Sequence, residues 1–172
     1  MENQDKQPEQ TQRELRLSIL SRSLLTGFIG GLLWGFLGVG LYYFNLSKIA
    51  PKSYLLRSWL TAEWIDGWLG TVLSILMLGI LSLLTAFIYF VLFKKINAIW
   101  LGAAFGVMLW FLVFYIVKPI FPNIPHLTNL NVNTIVSTIC LYILYGTFIG
   151  YSISYDYHDT LYKTKANREQ EN

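Results

Sequence analysis

The sequence predicts an all-α integral membrane protein with four transmembrane helices and both termini in the cytoplasm. Of the 172 residues, 54% are hydrophobic and only 13% are charged, whereas about a quarter of the residues in a soluble domain carry a charge. Four apolar stretches each reach the roughly 20 residues that a helix needs to cross a bilayer. The uneven distribution of Lys and Arg between these stretches indicates their orientation.

The predicted spans cover residues 24–44, 68–93, 98–117 and 134–155. None of them contains Asp, Glu, Lys, Arg or His. Because lipid offers no hydrogen-bond partners, an uncharged stretch of this length satisfies its backbone only as a helix. We therefore predict a transmembrane domain over residues 21–157, a disordered cytoplasmic tail over residues 1–20 and a cytoplasmic C-terminal tail over residues 158–172.

The basic residues set the orientation, because Lys and Arg are retained on the cytoplasmic side during insertion. Nine of the 13 lie in the two tails and in the turn between the second and third spans. We expect both termini to face the cytoplasm. The net charge of +3 then needs no nucleic-acid partner, and the lipid bilayer is the partner that the sequence predicts.

The first outer loop contains SWLTAEWIDGW, residues 58–68, in which Leu60, Trp64 and Trp68 recur at helical spacing. This pattern predicts a short amphipathic segment at the membrane interface, with Trp59, Trp64 and Trp68 as anchors at headgroup depth. Tyrosines at the inner end of the fourth span, Tyr151 and Tyr155, are predicted to anchor that end in the same way.

Two acidic residues, Glu63 and Asp66, lie three apart in this loop and are candidates for acid/base catalysis or for a cation site. The alternative is a solvated face of the interfacial segment. We favour that alternative, because carboxylates with perturbed chemistry need burial that an interfacial segment does not promise.

Two other places contain candidate metal ligands. His126 ends the proline-rich segment KPIFPNIPHL, and Asp156, His158 and Asp159 follow the fourth span. A metal site needs several ligands on one centre, whereas His126 has none nearby, and a continuing helix separates His158 from the two aspartates. We therefore predict no metal site, and we expect Asp159 to pair with Lys163 four residues later.

The most specific pattern is a series of small residues at four-residue spacing, which lets a second helix approach closely. Two alternatives follow: the stripes pack the four helices against one another, or the stripe on the first span faces outward and binds a partner or a second copy. The stripe glycines are Gly27, Gly31, Gly35 and Gly38 on the first span, Gly102 and Gly106 on the third, and Gly146 and Gly150 on the fourth.

Several classes of function are disfavoured. Ion-coupled transporters place ionisable residues near the bilayer midplane, and these spans contain only hydroxyl groups there, such as Ser82, Thr85, Ser137, Thr138 and Thr147. The spans also contain no activated nucleophile with its base and no phosphate-binding glycine loop. We therefore predict no enzymatic activity, no catalytic residue and no cofactor.

The glycine-rich first span ending in LYYFN, the segment DGWLG opening the second span and CLYILYGTFIGYSISYDY closing the fourth resemble the YqhR-type conserved membrane proteins of Gram-positive bacteria. The resemblance covers residues 23–157 and implies a multi-span protein of the cell membrane. It implies no activity and no catalytic residue.

From these observations we predict a non-enzymatic scaffold or accessory subunit that packs through its small-residue stripes. The alternative is a small oligomeric permease or channel whose path is lined by the hydroxyl groups of the second and fourth spans.

Overall fold

The structure is a computed structural model of the chain. It describes residues 6–58, 60–94, 96, 98–116 and 129–170, with side chains from residue 17 to residue 164 except Tyr54. This part of the chain is helical and contains no strand. The α-helices are α1 (Lys6–Tyr43), α2 (Pro51–Leu55), α3 (Trp68–Phe93), α4 (Ile99–Phe111) and α5 (Val132–Gln170), with a 3₁₀ turn at Glu63–Asp66 and a π-helical turn at Leu112–Ile116.

Four segments are long and apolar enough to cross a membrane, which confirms the four predicted spans. The third of them combines α4 with the π-helical turn, because the chain continues its helical path with a wider turn at Leu112–Ile116. The four segments are Leu17–Tyr43, Trp68–Phe93, Ile99–Ile116 and Val132–Thr164.

Both tails are helical where the structure describes them. Helix α1 begins at Lys6, within the segment predicted to be disordered, and α5 continues to Gln170. Nucleation is the costly step of helix formation, and each span supplies a nucleus from which the helix extends at little cost. The N-terminal tail is also rich in Gln, Arg, Glu and Leu, which are good helix formers.

The long helices pack as two close pairs, α1 with α3 and α4 with α5, and α1 then packs along α5 to join the pairs. The connection between α3 and α4 is short, which favours an antiparallel pair of neighbouring helices. In the structure they make few backbone contacts with each other. They meet near their connection through aromatic rings, with the Phe105 ring centroid 5.0 Å from Tyr89 and 6.0 Å from Phe93.

Each end of the bundle has an apolar core. At the end near the α3–α4 connection, Ala86, Tyr89, Ile149 and Ile153 are fully buried and belong to one cluster with Phe105. This cluster, which we call the inner core, also includes Ile19 of α1 and fills the space between the four long helices.

The core at the opposite end is centred on Trp110 and Phe114, against which Ile49 and Ile135 pack. The Trp110 Nε1–H donates a hydrogen bond to Thr138 Oγ1 at 3.0 Å. The segment after α1 is tied to the same end, because the Lys48 backbone N–H donates to Thr134 Oγ1 at 3.1 Å.

The predicted interfacial segment does not form one amphipathic helix. Residues 60–62 are non-helical, Glu63–Asp66 is a 3₁₀ turn, and Gly67 is extended before α3 begins at Trp68. The spacing of Leu60, Trp64 and Trp68 therefore does not place them on one helical face. The helical path is interrupted before α3 because Ile65 packs against the start of that helix. Ile65 is buried, and its backbone lies so close to Gly70 that a Cβ built on Gly70 would come within 2.8 Å of the Ile65 Cα.

Candidate functional site

The first glycine stripe lies against α3. A Cβ built on Gly31 would come within 2.8 Å of both the Gly79 Cα and the Leu78 carbonyl oxygen. A Cβ on Gly27 would contact the Ala86 Cβ, and one on Gly35 would lie 3.2 Å from the Leu78 Cδ1. There is thus no room for a side chain where α1 crosses α3.

The second close approach is reciprocal, with glycines on both helices. A Cβ on Gly102 would lie 2.8 Å from the Gly146 carbonyl oxygen, and one on Gly150 would lie 2.8 Å from the Gly102 Cα. Gly106 faces the backbone of Tyr142, and Gly146 faces Gly106. Helices α4 and α5 therefore contact each other backbone to backbone.

These distances fit the first alternative for the stripes, in which they pack the helices against one another. This holds for Gly27, Gly31 and Gly35 and for the glycines of α4 and α5. Gly38 differs from them. Its built Cβ would lie at ordinary contact distances, 3.6 Å from the Pro51 Cγ and 3.8 Å from the Leu141 Cδ2. Gly38 borders a cavity instead of a neighbouring backbone.

A buried hydroxyl joins three helices beside the α1–α3 crossing. The Ser82 Oγ of α3 donates a hydrogen bond to the Gly27 carbonyl oxygen of α1 at 2.5 Å. It also bonds to the hydroxyl of Tyr145 on α5. Because a serine hydroxyl has one hydrogen, Tyr145 is the donor in that second bond. The cost of burying these polar groups is thereby offset.

The cavity, of about 130 Å³, lies between the two helix pairs. A second cavity of about 50 Å³ shares Gly38, Pro51 and Tyr142 with it and extends toward Ser47 and Ile49. The lining of the first cavity is apolar apart from a few neutral groups. The side chains with those groups are Trp34, Ser82, Thr85, Tyr142 and Tyr145.

The sequence predicted only part of this lining. Ser82 and Thr85 line the first cavity and Thr138 lines the second, whereas the Thr147 hydroxyl donates to the carbonyl of Ile143 in its own helix. Trp34 and Tyr145 were missed. Their positions in the middle of a span could have indicated a special role, since Trp and Tyr of membrane helices are enriched at the membrane interfaces.

The predicted interfacial anchors are exposed where the structure describes them. Trp64 is 44% exposed and Trp68 is 75% exposed. Tyr151 and Tyr155 are exposed on α5 and stack with ring centroids 5.9 Å apart. Trp59 lies outside the described residues, and its role as an anchor stays a prediction.

The acidic residues of the first outer loop are also exposed. Asp66 forms an ion pair with Arg57, and the Lys52 Nζ donates to the Asp66 carbonyl oxygen at 2.7 Å. Sequence reasoning missed Arg57, which lies nine residues from its partner with no helical spacing to indicate the pairing. An exposed carboxylate with a cationic partner fits a solvated loop better than a catalytic acid.

The candidate metal ligands after the fourth span, Asp156, His158 and Asp159, do not meet at one centre. The His158 Nδ1 forms a hydrogen bond with the Ser154 carbonyl oxygen at 2.8 Å, one turn back along the same helix. The predicted pair is confirmed, with the Lys163 Nζ 2.7 Å from the Asp159 carboxylate. Within the described part of the chain, no group of three or more His, Cys, Asp or Glu side chains could hold a metal ion. His126 lies outside that part.

Comparison with known proteins agrees with this architecture. The family described as "Conserved membrane protein YqhR" matches residues 3–169. The chain belongs to this family. It is also 43% identical to the "Uncharacterized protein YqhR" of Bacillus subtilis (strain 168), over 143 residues that cover 83% of this chain and 80% of that protein. No solved structure matches the chain.

Membership confirms the resemblance noted in the sequence and identifies the chain as a conserved membrane protein of bacteria. The description of the YqhR family names no activity, substrate or partner.

Gly106→Ala and Gly40→Ala form a matched pair that tests the glycine packing. A Cβ at Gly106 would lie 2.9 Å from the Ile143 Cα, whereas one at Gly40 would meet nothing within 4 Å. Overpacking of this kind costs about 1–3 kcal/mol. We expect Gly106→Ala to lower the thermal aggregation temperature of the detergent-purified protein and Gly40→Ala to leave it unchanged or slightly raised. Equal behaviour of the two variants would contradict the close approach of α4 and α5.

The double substitution Asp156→Asn with His158→Ala tests the residues after the fourth span. Because these side chains do not share a centre, we expect the variant to insert into membranes and to keep the wild-type thermal stability within experimental error. Elemental analysis of the purified wild-type protein provides the second readout. A stoichiometric transition metal that disappears in the double variant would overturn this expectation.

Proposed function

We propose that the protein is a non-enzymatic scaffold or accessory subunit of the bacterial cytoplasmic membrane that presents a pair of helices to the cytoplasm. The observation that carries this proposal is the length of α1 and α5. They begin at Lys6 and end at Gln170, well beyond the predicted spans. At about 1.5 Å per residue, α1 begins roughly 27 Å before residue 24 and α5 ends roughly 22 Å after residue 155, which are the bounds of the predicted spans.

The bases of these extensions are fixed to the bundle, which suits a presented surface better than loose tails. Ile19 on α1 is 2% exposed and belongs to the inner core, against which Tyr157 of α5 also packs. The Lys94 ammonium lies 4.3 Å from the Phe90 ring centroid and 5.7 Å from that of Tyr157. Such contacts fix the direction in which the two extensions leave the bundle.

The orientation in this proposal rests on the basic residues. Nine of 13 Lys and Arg residues lie in the tails and in the connection between α3 and α4, and this excess favours the cytoplasmic side. Four spans return the chain to the side from which it started. Both extensions therefore emerge on the same side, where they can contact one partner together.

The chemistry of the bundle supports a non-enzymatic role. No acid or base lies within the four predicted spans, and the buried polar side chains there are hydroxyl groups, such as Ser74, Ser82 and Thr138. Hydroxyl groups bonded to backbone carbonyls stabilise helix packing and are not activated nucleophiles.

The alternative is a small permease, and the cavity between the helix pairs is the observation that favours it. The inner core closes one end of that cavity, since Ala86, Tyr89 and Ile149 are fully buried there. A permease would need this core to open or would need a path formed between several copies. The scaffold proposal requires neither.

Photo-crosslinking in living cells distinguishes the two proposals. A photoreactive phenylalanine analogue replaces Leu17 on α1 or Tyr162 on α5, which are both exposed. We expect both positions to capture the same water-soluble protein, because in this proposal both extensions emerge on the same side of the membrane. The matched control is Leu84, which is equally exposed but lies in the middle of α3, and should capture no water-soluble protein.

Failure of both extension positions to capture a common partner would contradict the scaffold proposal. Flux of a solute through proteoliposomes containing the purified protein, absent from protein-free liposomes, would support the permease instead.

A further inference from the structure

We propose that the cavity between the two helix pairs binds a neutral, lipid-soluble molecule with an elongated apolar body and one oxygen that accepts a hydrogen bond. This inference does not depend on the scaffold proposal, because it concerns the interior of the bundle and not the helical extensions. Four properties of the cavity lead to it.

The first property is an unpaired donor. Trp34 lines the cavity, and its Nε1–H is buried and has no hydrogen-bond partner among the residues that the structure describes. Buried N–H groups are nearly always paired, because an unpaired donor keeps the full cost of losing its water. An acceptor oxygen held in the cavity would remove that cost once the indole ring turns its N–H toward it.

The second property is the absence of charge. The polar groups that line the cavity beside Trp34 are the hydroxyls of Ser82, Thr85, Tyr142 and Tyr145, and none of the lining residues is Asp, Glu, Lys, Arg or His. A charged ligand would have no counter-ion at this depth in the membrane. A hydroxyl or carbonyl oxygen matches the site, since it can accept from Trp34 without a charge.

The third property is the shape. The two adjoining cavities are lined along α1 from Gly31 to Leu41. Ten residues of helix span about 15 Å, which is half of the roughly 30 Å hydrocarbon core of a bilayer. Apart from the hydroxyls of Ser47 and Thr138 in the second cavity, the other walls are apolar. Leu78, Leu109 and Val113 belong to them. This shape fits a chain that lies lengthwise across one leaflet.

The fourth property is access from the bilayer. Helices α3 and α4 make few contacts beyond their aromatic rings near the connection, so the bundle is loosely closed along this side. Leu81 of α3 lines the cavity and is 42% exposed at the bundle surface. A ligand dissolved in the lipid can therefore reach the cavity without passing through water.

The probe for the test is decanol with a photoreactive diazirine in its chain, compared with the same labelled hydrocarbon lacking the hydroxyl. The full-length protein is reconstituted into phosphatidylglycerol and phosphatidylethanolamine vesicles, and labelled residues are mapped by mass spectrometry. We expect the alcohol to label residues 109–113 and 141–145 well above the lipid-facing surface. The hydrocarbon should label the cavity and the surface alike.

Trp34→Phe removes the donor and keeps an aromatic ring. It should reduce cavity labelling by the alcohol about fivefold, which is the contribution of one neutral hydrogen bond, and leave labelling by the hydrocarbon unchanged. The matched control is Trp100→Phe, since Trp100 is 87% exposed on α4 and should not affect cavity labelling. Val113→Trp fills the cavity and should reduce labelling by both probes.

Uniform labelling over the lipid-facing surface, with no excess in the cavity, would overturn the proposal. Equal labelling by the alcohol in wild type and Trp34→Phe would also overturn it, because the indole donor would then play no part in binding. Since Trp34→Phe adds no atoms to the core, that comparison holds even if Val113→Trp fails to fold.

Discussion

The close approach of helix backbones at glycine is the interaction on which the rest of this structure depends. In a bilayer, the lipid chains are as apolar as the helix surfaces, so helices gain little from burying apolar side chains and associate through close packing and hydrogen bonds. Here α1 meets α3 at Gly31 and Gly79, and α4 meets α5 at Gly102 and Gly146, at distances that leave no room for a Cβ. These two crossings hold the helices together as two pairs, and the two pairs pack against each other to form the bundle.

The same constraint explains why a cavity exists. The glycines bring α1 to α3 and α4 to α5, while α3 and α4 approach only through the bulky rings of Tyr89, Phe93 and Phe105 near their connection. Away from those rings α3 and α4 separate, and the space between the pairs is bridged by the Ser82 and Tyr145 hydroxyls instead of being filled. The cavity thus lies between the inner core at one end of the bundle and the Trp110 and Phe114 core at the other.

Much of the fold could be predicted from the sequence, because hydrophobic length and the spacing of small residues act locally. The four spans and the Asp159–Lys163 pair needed no tertiary information. Whether the glycines face inward depends on the rotation of each helix, which four-residue spacing does not define. Trp34 and Tyr145 meet across two helices, so no spacing could indicate their common cavity. In the loop before α3, tertiary packing decides the local structure. Ile65 is buried against Gly70, so the loop is not a continuous helix despite the helical spacing of Trp64 and Trp68.

Disulfide crosslinking tests the inward packing of the first stripe most directly. On a Cys140→Ser background, Gly35→Cys is combined with Ile75→Cys, because a Cβ at Gly35 would lie 3.5 Å from the Ile75 Cα and disulfides need Cβ atoms about 4 Å apart. Mild oxidation in native membranes should give an intramolecular crosslink in this variant and none when Ile80→Cys, on the exposed face of α3, replaces Ile75→Cys. Efficient dimerisation of the Gly35→Cys single variant, with no intramolecular product in the double variant, would contradict the inward packing. It would show instead that the stripe faces outward.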